Sequence, residues 1–183
     1  MSKTKESRIS VRTLTLLGLL IALHVVLSRV TAITITPTLR ISFGFLPLAL
    51  TGWLLGPLWG AAVAAAGDVL GLMLSGSGGW LPWLTVIAAL RGAIYGWFLY
   101  QRKANLLRIL IGLFVESLIC NVILNSLALY WMGYVAHGTA FWPWLGTRAL
   151  KNLAQWPVNT VMLLAQMMAL EKLPSSLLKG DAR

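Results

Sequence analysis

The chain has 183 residues, of which 58% are hydrophobic and only 11% are charged. This composition excludes an average soluble fold and predicts a protein that lies in a lipid bilayer. The single cysteine, Cys120, excludes an internal disulfide framework and a zinc site built from paired cysteines.

Apolar segments recur along the chain and predict six membrane-spanning helices, at about residues 12–30, 43–57, 58–75, 83–100, 106–131 and 148–172. A helix needs about 17–20 residues to cross about 30 Å of hydrocarbon. The second segment is the shortest, so we expect it to begin before Phe45 or to be partly broken. The predicted fold class is therefore an all-α membrane protein, a six-helix bundle that forms a single domain over residues 1–183.

The net charge of +10 is unevenly distributed among the predicted loops. If both termini are cytoplasmic, the inner side receives Lys3, Lys5, Arg8, Arg12, Arg102, Lys103, Arg108, Lys172, Lys179 and Arg183. The outer side then holds Arg29, Arg40, Arg148 and Lys151, while Arg91 lies inside a span. This asymmetry follows the positive-inside rule. The basic excess is thus explained by membrane topology and not by a nucleic-acid partner.

Small residues recur at intervals of four in several predicted helices. Gly52, Gly56 and Gly60 repeat this spacing in helices two and three, and Gly92 and Gly96 repeat it in helix four. Such faces let helix backbones approach closely, and we interpret them as packing within the bundle. In helix one, Gly18 and Ala22 form a similar pair that could instead be presented to another membrane protein.

Tryptophans concentrate at the predicted outer ends of the helices: Trp80, Trp83, Trp131, Trp142 and Trp144. An aromatic belt at the lipid headgroups explains each of them singly. Their clustering in loops beside glycine also allows some of them to line a binding site.

Signatures of catalysis are absent from the sequence. It contains no phosphate-binding loop, no nucleophile elbow and no zinc-binding H-E-x-x-H helix. His24 has no neighbouring carboxylate in the sequence, so we interpret it as a packed, hydrogen-bonded residue. We therefore expect a protein that is not an enzyme and has neither a cofactor nor a metal.

Polar residues inside the predicted spans are candidates for function, because they are costly to place in lipid. Asp68 in helix three and Arg91 in helix four lie at similar predicted depth. They could form a structural ion pair with each other. Alternatively, Arg91 could contact an anionic ligand.

The sixth predicted helix carries polar side chains on one face, because Arg148, Asn152, Gln155 and Asn159 follow helical spacing. Helix five adds Asn121 and Asn125. The deeper Asn121 and Asn159 fit hydrogen bonds between helices, whereas Asn125, Asn152 and Arg148 fit ligand contacts. Together with Arg40, Lys151 and the tryptophans, these side chains predict an outward cavity for a small, planar, anionic molecule.

The segment "LRISFGFLPLALTGWLLGPLWGAAVAAAGDVLG", with "AIYGWFLY" and "TRALKNLAQWPV" further on, resembles the substrate-binding S components of energy-coupling factor (ECF) vitamin transporters. The similarity is greatest to the folate-specific branch and spans residues 12–172. It implies a vitamin-binding subunit of an ABC-type importer in the bacterial plasma membrane. It also implies as partners a transmembrane T component and two cytoplasmic ATPases.

The resemblance further implies roles for individual residues. The loop after helix one and the loop between helices three and four would close over the vitamin, with Pro47 at the start of helix two. The ligand-binding set would be Arg40, Phe43, Phe45, Trp80, Trp83, Arg91, Asn125, Arg148 and Asn152. Gly18 and Ala22 would dock on the T component.

Three alternatives stay open at this point. The vitamin could instead be pantothenate, a pyridoxine-like compound or a thiamin precursor, although the abundant tryptophans favour folate over the ringless pantothenate. A small intramembrane enzyme could use Asp68 and His24. A purely structural membrane subunit would tolerate loss of Arg40 and Arg148 together.

Overall fold

Helices form the architecture of the protein, which a computed structural model describes over residues 10–29, 33–36, 39–75, 82–133 and 140–172. The helices are α1 (Val11–Arg29), α2 (Phe45–Leu55), α3 (Pro57–Ser75), α4 (Pro82–Leu99), α5 (Leu106–Glu116), α6 (Asn125–Trp131) and α7 (Phe141–Glu171). A π-helical segment, Ser117–Leu124, joins α5 to α6, so these three stretches form one continuous rod. The described elements thus fit the six helices predicted from the apolar pattern.

Four of the described helical rods are long and apolar enough to cross a membrane: Val11–Arg29, Pro57–Leu74, Pro82–Leu99 and Leu106–Trp131. The other two depart from the prediction in length. Helix α2 has only 11 residues, and α7 has 31 because it begins at Phe141, about two turns before the predicted start at Arg148. The predicted loop before Arg148 is therefore helical in its last part.

Two short strands are an exception to the all-helical expectation. Strands β1 (Ile33–Thr36) and β2 (Leu39–Ile41) pair antiparallel, with Ile33 opposite Ile41 and Thr34 opposite Arg40. They form a hairpin between α1 and α2, where the sequence predicted a loop. The side chain of Arg40 lies outside the described part of the chain, and so do Trp80 and Val30.

The entry to α2 is tied to α1. Helix α2 begins at Phe45, two positions before Pro47, so the proline lies in the first turn, where a helix needs no backbone N–H donor. The carbonyl oxygen of Gly44, just before the helix, lies 2.8 Å from Nδ1 of His24 in α1. This confirms His24 as a buried, hydrogen-bonded residue.

Glycines set the closest helix contacts in the bundle. A Cβ atom built on Gly92 of α4 would fall within 2.5 Å of the carbonyl carbon of Gly60 in α3, and one built on Gly52 of α2 would fall 2.5 Å from the backbone nitrogen of Gly96. Only hydrogen fits at these crossings. The interpretation of these glycines as packing within the bundle is confirmed.

The two ends of the bundle differ in content. The hairpin end carries the β1–β2 hairpin, the end of α3 and the beginnings of α4 and α7, and the opposite end carries the start of α1 and the turn between α4 and α5. The largest apolar core, with Leu17, Leu20, Val63, Leu99, Ile109, Leu163 and Met167 among its members, fills the opposite half. That core leaves the half nearer the hairpin available for a cavity.

Asn105 caps the first turn of α5 at the opposite end, where its side chain accepts a hydrogen bond of 3.0 Å from the backbone N–H of Leu107. Asn105→Ala is expected to lower the free energy of unfolding by about 1 kcal/mol, because one backbone donor loses its partner. The thermal midpoint of the purified protein in detergent measures this effect. Asn105→Ser keeps a capping oxygen and should remain within a few tenths of a kcal/mol of the original, and equal midpoints for the alanine and serine variants would contradict the prediction.

Candidate functional site

A polar cavity of about 360 Å³ lies in the half of the bundle nearer the hairpin. Its walls come from the end of α1, the start of α2, the second half of α3, most of α4, the rod from α5 to α6, and the middle of α7. A volume of this size lies within the range of small-molecule sites.

The wall formed by α1 and α3 carries one cation and one carboxylate. Nη2 of Arg29 lies 4.0 Å from Oδ1 of Asp68, and Thr85 of α4 donates a 2.9 Å hydrogen bond to Oδ2 of the same carboxylate. The predicted ion pair between Asp68 and Arg91 is therefore wrong. Asp68 faces α1 instead, because Arg29 ends that helix at the same level.

The wall formed by α4 and the α5–α6 rod contains a buried ion pair. Nε of Arg91 lies 2.8 Å from Oε1 of Glu116, and the side chain of Glu116 is only 6% exposed. Nη2 of Arg91 donates a 2.7 Å hydrogen bond to Oδ1 of Asn121. The amide nitrogen of Asn121 donates in turn to Oε1 of Glu116 at 3.0 Å. The three side chains form a closed polar network, which we call the Arg91 network.

The π-helical segment makes this network possible. In an α-helix each residue turns by about 100°, so residues five apart, such as Glu116 and Asn121, would point about 140° away from each other. A π-helix closes its hydrogen bonds between residues five apart and brings their side chains to the same side. The backbone N–H of Asn125 accordingly bonds to the carbonyl oxygen of Cys120. Because of this wider turn, Glu116, Ser117, Asn121 and Asn125 all line the cavity.

Helix α7 supplies the amide-rich wall. Asn152, Gln155 and Asn159 line the cavity, together with Lys151 and Trp156 beside them. The indole N–H of Trp156 donates a 3.0 Å hydrogen bond to the carbonyl oxygen of Leu110 in α5. The ring of Trp156 also packs edge-on against Phe114, with centroids 5.6 Å apart. These contacts hold an aromatic ring rigidly in the cavity wall.

Cations exceed carboxylates among the described residues that line the cavity. Arg29, Arg91 and Lys151 are the cations, and Asp68 and Glu116 are the carboxylates. The two arginines lie beside the two carboxylates. The described part of the wall therefore carries one more cation than carboxylates.

Four residues of the predicted ligand-binding set line the cavity: Phe45, Arg91, Asn125 and Asn152. In the described part of the chain, Phe43, Trp83 and Arg148 do not belong to its lining. Phe43 packs against the apolar core, and Trp83, in the first turn of α4, is 50% exposed. The side chain of Arg40 and all of Trp80 lie outside the described residues.

Arg148 lies on the amide-bearing face of α7, but it is too near the start of the helix to line the cavity. Its guanidinium carbon lies 5.1 Å from the ring centroid of Trp144, one turn nearer the helix start. Side chains in a helix point back toward its N-terminus, so Arg148 extends away from the cavity and over this indole. The carbonyl oxygen of Arg148 accepts a 2.8 Å hydrogen bond from Asn152, which lines the cavity.

Sequence reasoning did not include in the ligand-binding set several residues that line the cavity, notably Glu116, Lys151 and Trp156. Lys151 does belong to the outward cavity predicted from the sequence, although not to the ligand-binding set. Trp156 borders the amide-bearing face of α7, so widening that face by one residue would have found it. Glu116 depends on the π-turn, for which the apolar pattern gives no signal.

The predicted docking pair lies on an open face of α1. Gly18 and Ala22 are both exposed, and a Cβ atom built on Gly18 would meet nothing within 4 Å. On the opposite side of the same helix, Leu17 and Leu20 are buried in the core.

The chemistry available in the cavity is that of binding. The described residues contain no cluster of three or more His, Cys, Asp or Glu side chains that could hold a metal ion. Amides, two ion pairs, a surplus cation and the rings of Phe45 and Trp156 suit a ligand with a flat, hydrogen-bonding ring and an acidic group.

Comparison with known proteins finds one matching family and several similar transport proteins. The family described as "ECF-type riboflavin transporter, S component" matches residues 8–172. A protein of Clostridium novyi named "Folate transporter FolT" is 31% identical over 147 residues, which are 80% of this chain and 83% of that protein. A protein of the same name from Leuconostoc mesenteroides is 33% identical over 154 residues, or 83% of this chain and 82% of the relative.

A solved structure described as "Crystal structure of FolT bound with folic acid" has the same fold. It superposes with a TM-score of 0.78 at 31% sequence identity, and covers 87% of this chain and 95% of that chain. The cavity described above thus belongs to a fold that, in that structure, holds folic acid.

Proposed function

Since this chain belongs to the S-component family of ECF-type transporters, in which the matching family description names riboflavin, we propose that its own vitamin is folate. Membership of this family makes the protein a multi-pass membrane protein and a non-catalytic binding subunit of a transporter. The observation that carries the choice of folate is the surplus positive charge on a cavity that also offers amides and aromatic rings.

Charge separates the two candidate vitamins. Folate carries two carboxylates on its glutamate tail, whereas riboflavin is uncharged. A cavity lined by three cations and two carboxylates favours an anionic ligand, because a desolvated cation needs a compensating charge. The names of the relatives from Clostridium novyi and Leuconostoc mesenteroides support the same choice.

The aromatic side chains of the cavity suit the flat pterin ring of folate. Phe45 of α2 and Trp156 of α7 both line the cavity, and Asn125 and Asn152 add amide donors and acceptors to its wall. Pantothenate has no ring for such a site. Phe43, Arg40, Trp80 and Trp83 belong in this proposal to the segments that close over the bound vitamin.

The proposed orientation places the hairpin end outside the cell and both termini in the cytoplasm. Described basic residues at the opposite end, Arg102, Lys103, Arg108 and Lys172, support it through the positive-inside rule. A transmembrane T component and two ATPases would complete the importer. The exposed Gly18 and Ala22 would let the T component approach the backbone of α1 closely.

A ligand panel tests the proposed vitamin directly. The purified protein is titrated with folic acid, riboflavin, pantothenate and thiamin, and binding is followed by tryptophan fluorescence and by calorimetry. We expect saturable binding of folic acid alone. Binding of riboflavin with no response to folic acid would replace folate by the second candidate.

Lys151→Gln is expected to weaken folic acid binding by about ten- to a hundredfold, because the carboxylate loses a charge-assisted partner in a desolvated site. Lys151→Arg keeps the charge and should retain most of the affinity. Calorimetric titration of the two variants measures the difference. Equal affinities of the glutamine variant and the unmodified protein would remove Lys151 from the site.

A further inference from the structure

Arg91 lines the cavity with a guanidinium whose described polar contacts are made by two of its three nitrogens. Its Nε lies 2.8 Å from Oε1 of Glu116 and its Nη2 donates to Asn121, and neither contact involves Nη1. The side chain is 27% exposed although it lies in the middle of α4, and it lines the cavity. A ligand bound in the cavity can therefore contact the Arg91 side chain.

The surroundings of Arg91 fix its orientation and its charge. Glu116 offsets the positive charge, so this part of the wall is electrically neutral as a unit. Asn121 prevents rotation of the guanidinium plane, since it accepts from Nη2 and donates to Glu116. Tyr95, 2% exposed, lines the same part of the cavity. The Arg91 network thus offers a rigid donor to a neutral acceptor, whereas Lys151, the third cation of the described lining, lies outside this network.

We propose, on the basis of the folate-binding function inferred above, that Arg91 recognises the ring of the vitamin. Its Nη1 would donate a hydrogen bond to the ring carbonyl of the pterin. Glu116 and Asn121 act as positioning residues that hold the guanidinium for this contact. The carbonyl at position 4 of the pterin is the group that distinguishes folic acid from its 4-amino analogue, aminopterin. In aminopterin an amino group would face the guanidinium, so donor would meet donor.

The proposal predicts discrimination between two ligands that share the same glutamate tail. The unmodified protein should bind folic acid about ten- to a hundredfold more tightly than aminopterin, because a hydrogen bond to a charged donor is lost and replaced by a clash of donors. Arg91→Lys keeps a positive charge beside Glu116 but lacks the Nη1 corner. This variant should bind the two ligands within about threefold of each other.

Lys151→Gln is the matched control, because Lys151 faces the same cavity but is assigned to the tail. That variant should bind both ligands more weakly and keep their ratio. Calorimetric titration of each protein with each ligand gives all six affinities, and the thermal midpoints establish that the variants are folded. Measurement of the ratio on the unmodified protein needs no variant at all.

The outcomes separate the two proposals. The assignment is supported if the unmodified protein and Lys151→Gln both bind folic acid much more tightly than aminopterin, whereas Arg91→Lys binds the two ligands about equally. Arg91 is then the residue that recognises the ring. Equal affinities in the unmodified protein, or a ratio that Arg91→Lys leaves intact, overturn that assignment while folate remains the vitamin. Binding of neither ligand by the unmodified protein overturns the proposed function, and the assignment of Arg91 falls with it.

Discussion

Gly92→Ala is expected to lower the free energy of unfolding by about 3 kcal/mol, the upper end of the usual cost of overpacking. The added methyl group would fall 2.5 Å from the carbonyl carbon of Gly60 and 2.9 Å from the backbone nitrogen of Ala61. Both neighbours are backbone atoms of α3, so no side-chain rotation can relieve the overlap. The helices must separate instead, and α3 and α4 form two walls of the cavity.

The effect is measured as the thermal midpoint of the purified protein in detergent and as the folic acid affinity of whatever fraction folds. Gly18→Ala is the matched control, because nothing lies within 4 Å of the added methyl group. In a helix that substitution alone is favourable by up to about 1 kcal/mol, so the control should be as stable as the original or more so. A Gly92→Ala variant with an unchanged midpoint would contradict the close crossing of α3 and α4.

Glu116→Leu is expected to cost about 3 kcal/mol of folding free energy, because it leaves Arg91 without its buried counter-ion. This value lies at the lower end of the range for breaking buried pairs, since the cavity keeps part of Arg91 in contact with water. The Asn121 amide also loses its acceptor. The thermal midpoint in detergent measures the loss.

The double variant Arg91→Met with Glu116→Leu should recover more than half of that loss, since replacing both members of a buried pair by apolar residues is often neutral. It should nevertheless bind folic acid and aminopterin with similar affinity, because the guanidinium that recognises the ring is gone. Recovery of stability without recovery of ligand discrimination would separate the structural role of the pair from its role in binding. A single Glu116→Leu variant as stable as the original would instead show that the ion pair contributes little.

The helix count and the packing faces could be predicted from the sequence because each depends on local chemistry. Apolar runs long enough to span hydrocarbon mark the helices, and glycines four residues apart mark the close crossings. The amide-bearing face of α7 also followed from helical spacing alone, since Asn152, Gln155 and Asn159 do share the cavity. The family resemblance added the class of protein, which the comparisons with known proteins confirm.

The pairing of the charged residues could not be predicted in the same way. Asp68 and Arg91 lie at similar depth in neighbouring helices, yet each pairs with a third helix. Depth along a helix follows from the residue number, but the direction in which a side chain points across the bundle depends on how every helix is rotated. For Glu116 that rotation is set by the π-turn, which the apolar pattern does not reveal.

The sequence by itself determined that this protein lies in a membrane as a bundle of helices and carries amides, aromatic rings and cations suited to an acidic, flat ligand, because composition and spacing are properties of the chain. Only the tertiary structure decided which of those groups meet. It turned Arg148 toward Trp144 and away from the cavity, brought Trp156 into the wall, and joined Arg91 to Glu116 and Asn121. The physical reason is that this binding site is made by described side chains from six helical rods at once, and the relative rotation and height of the rods are fixed by packing rather than by any one segment.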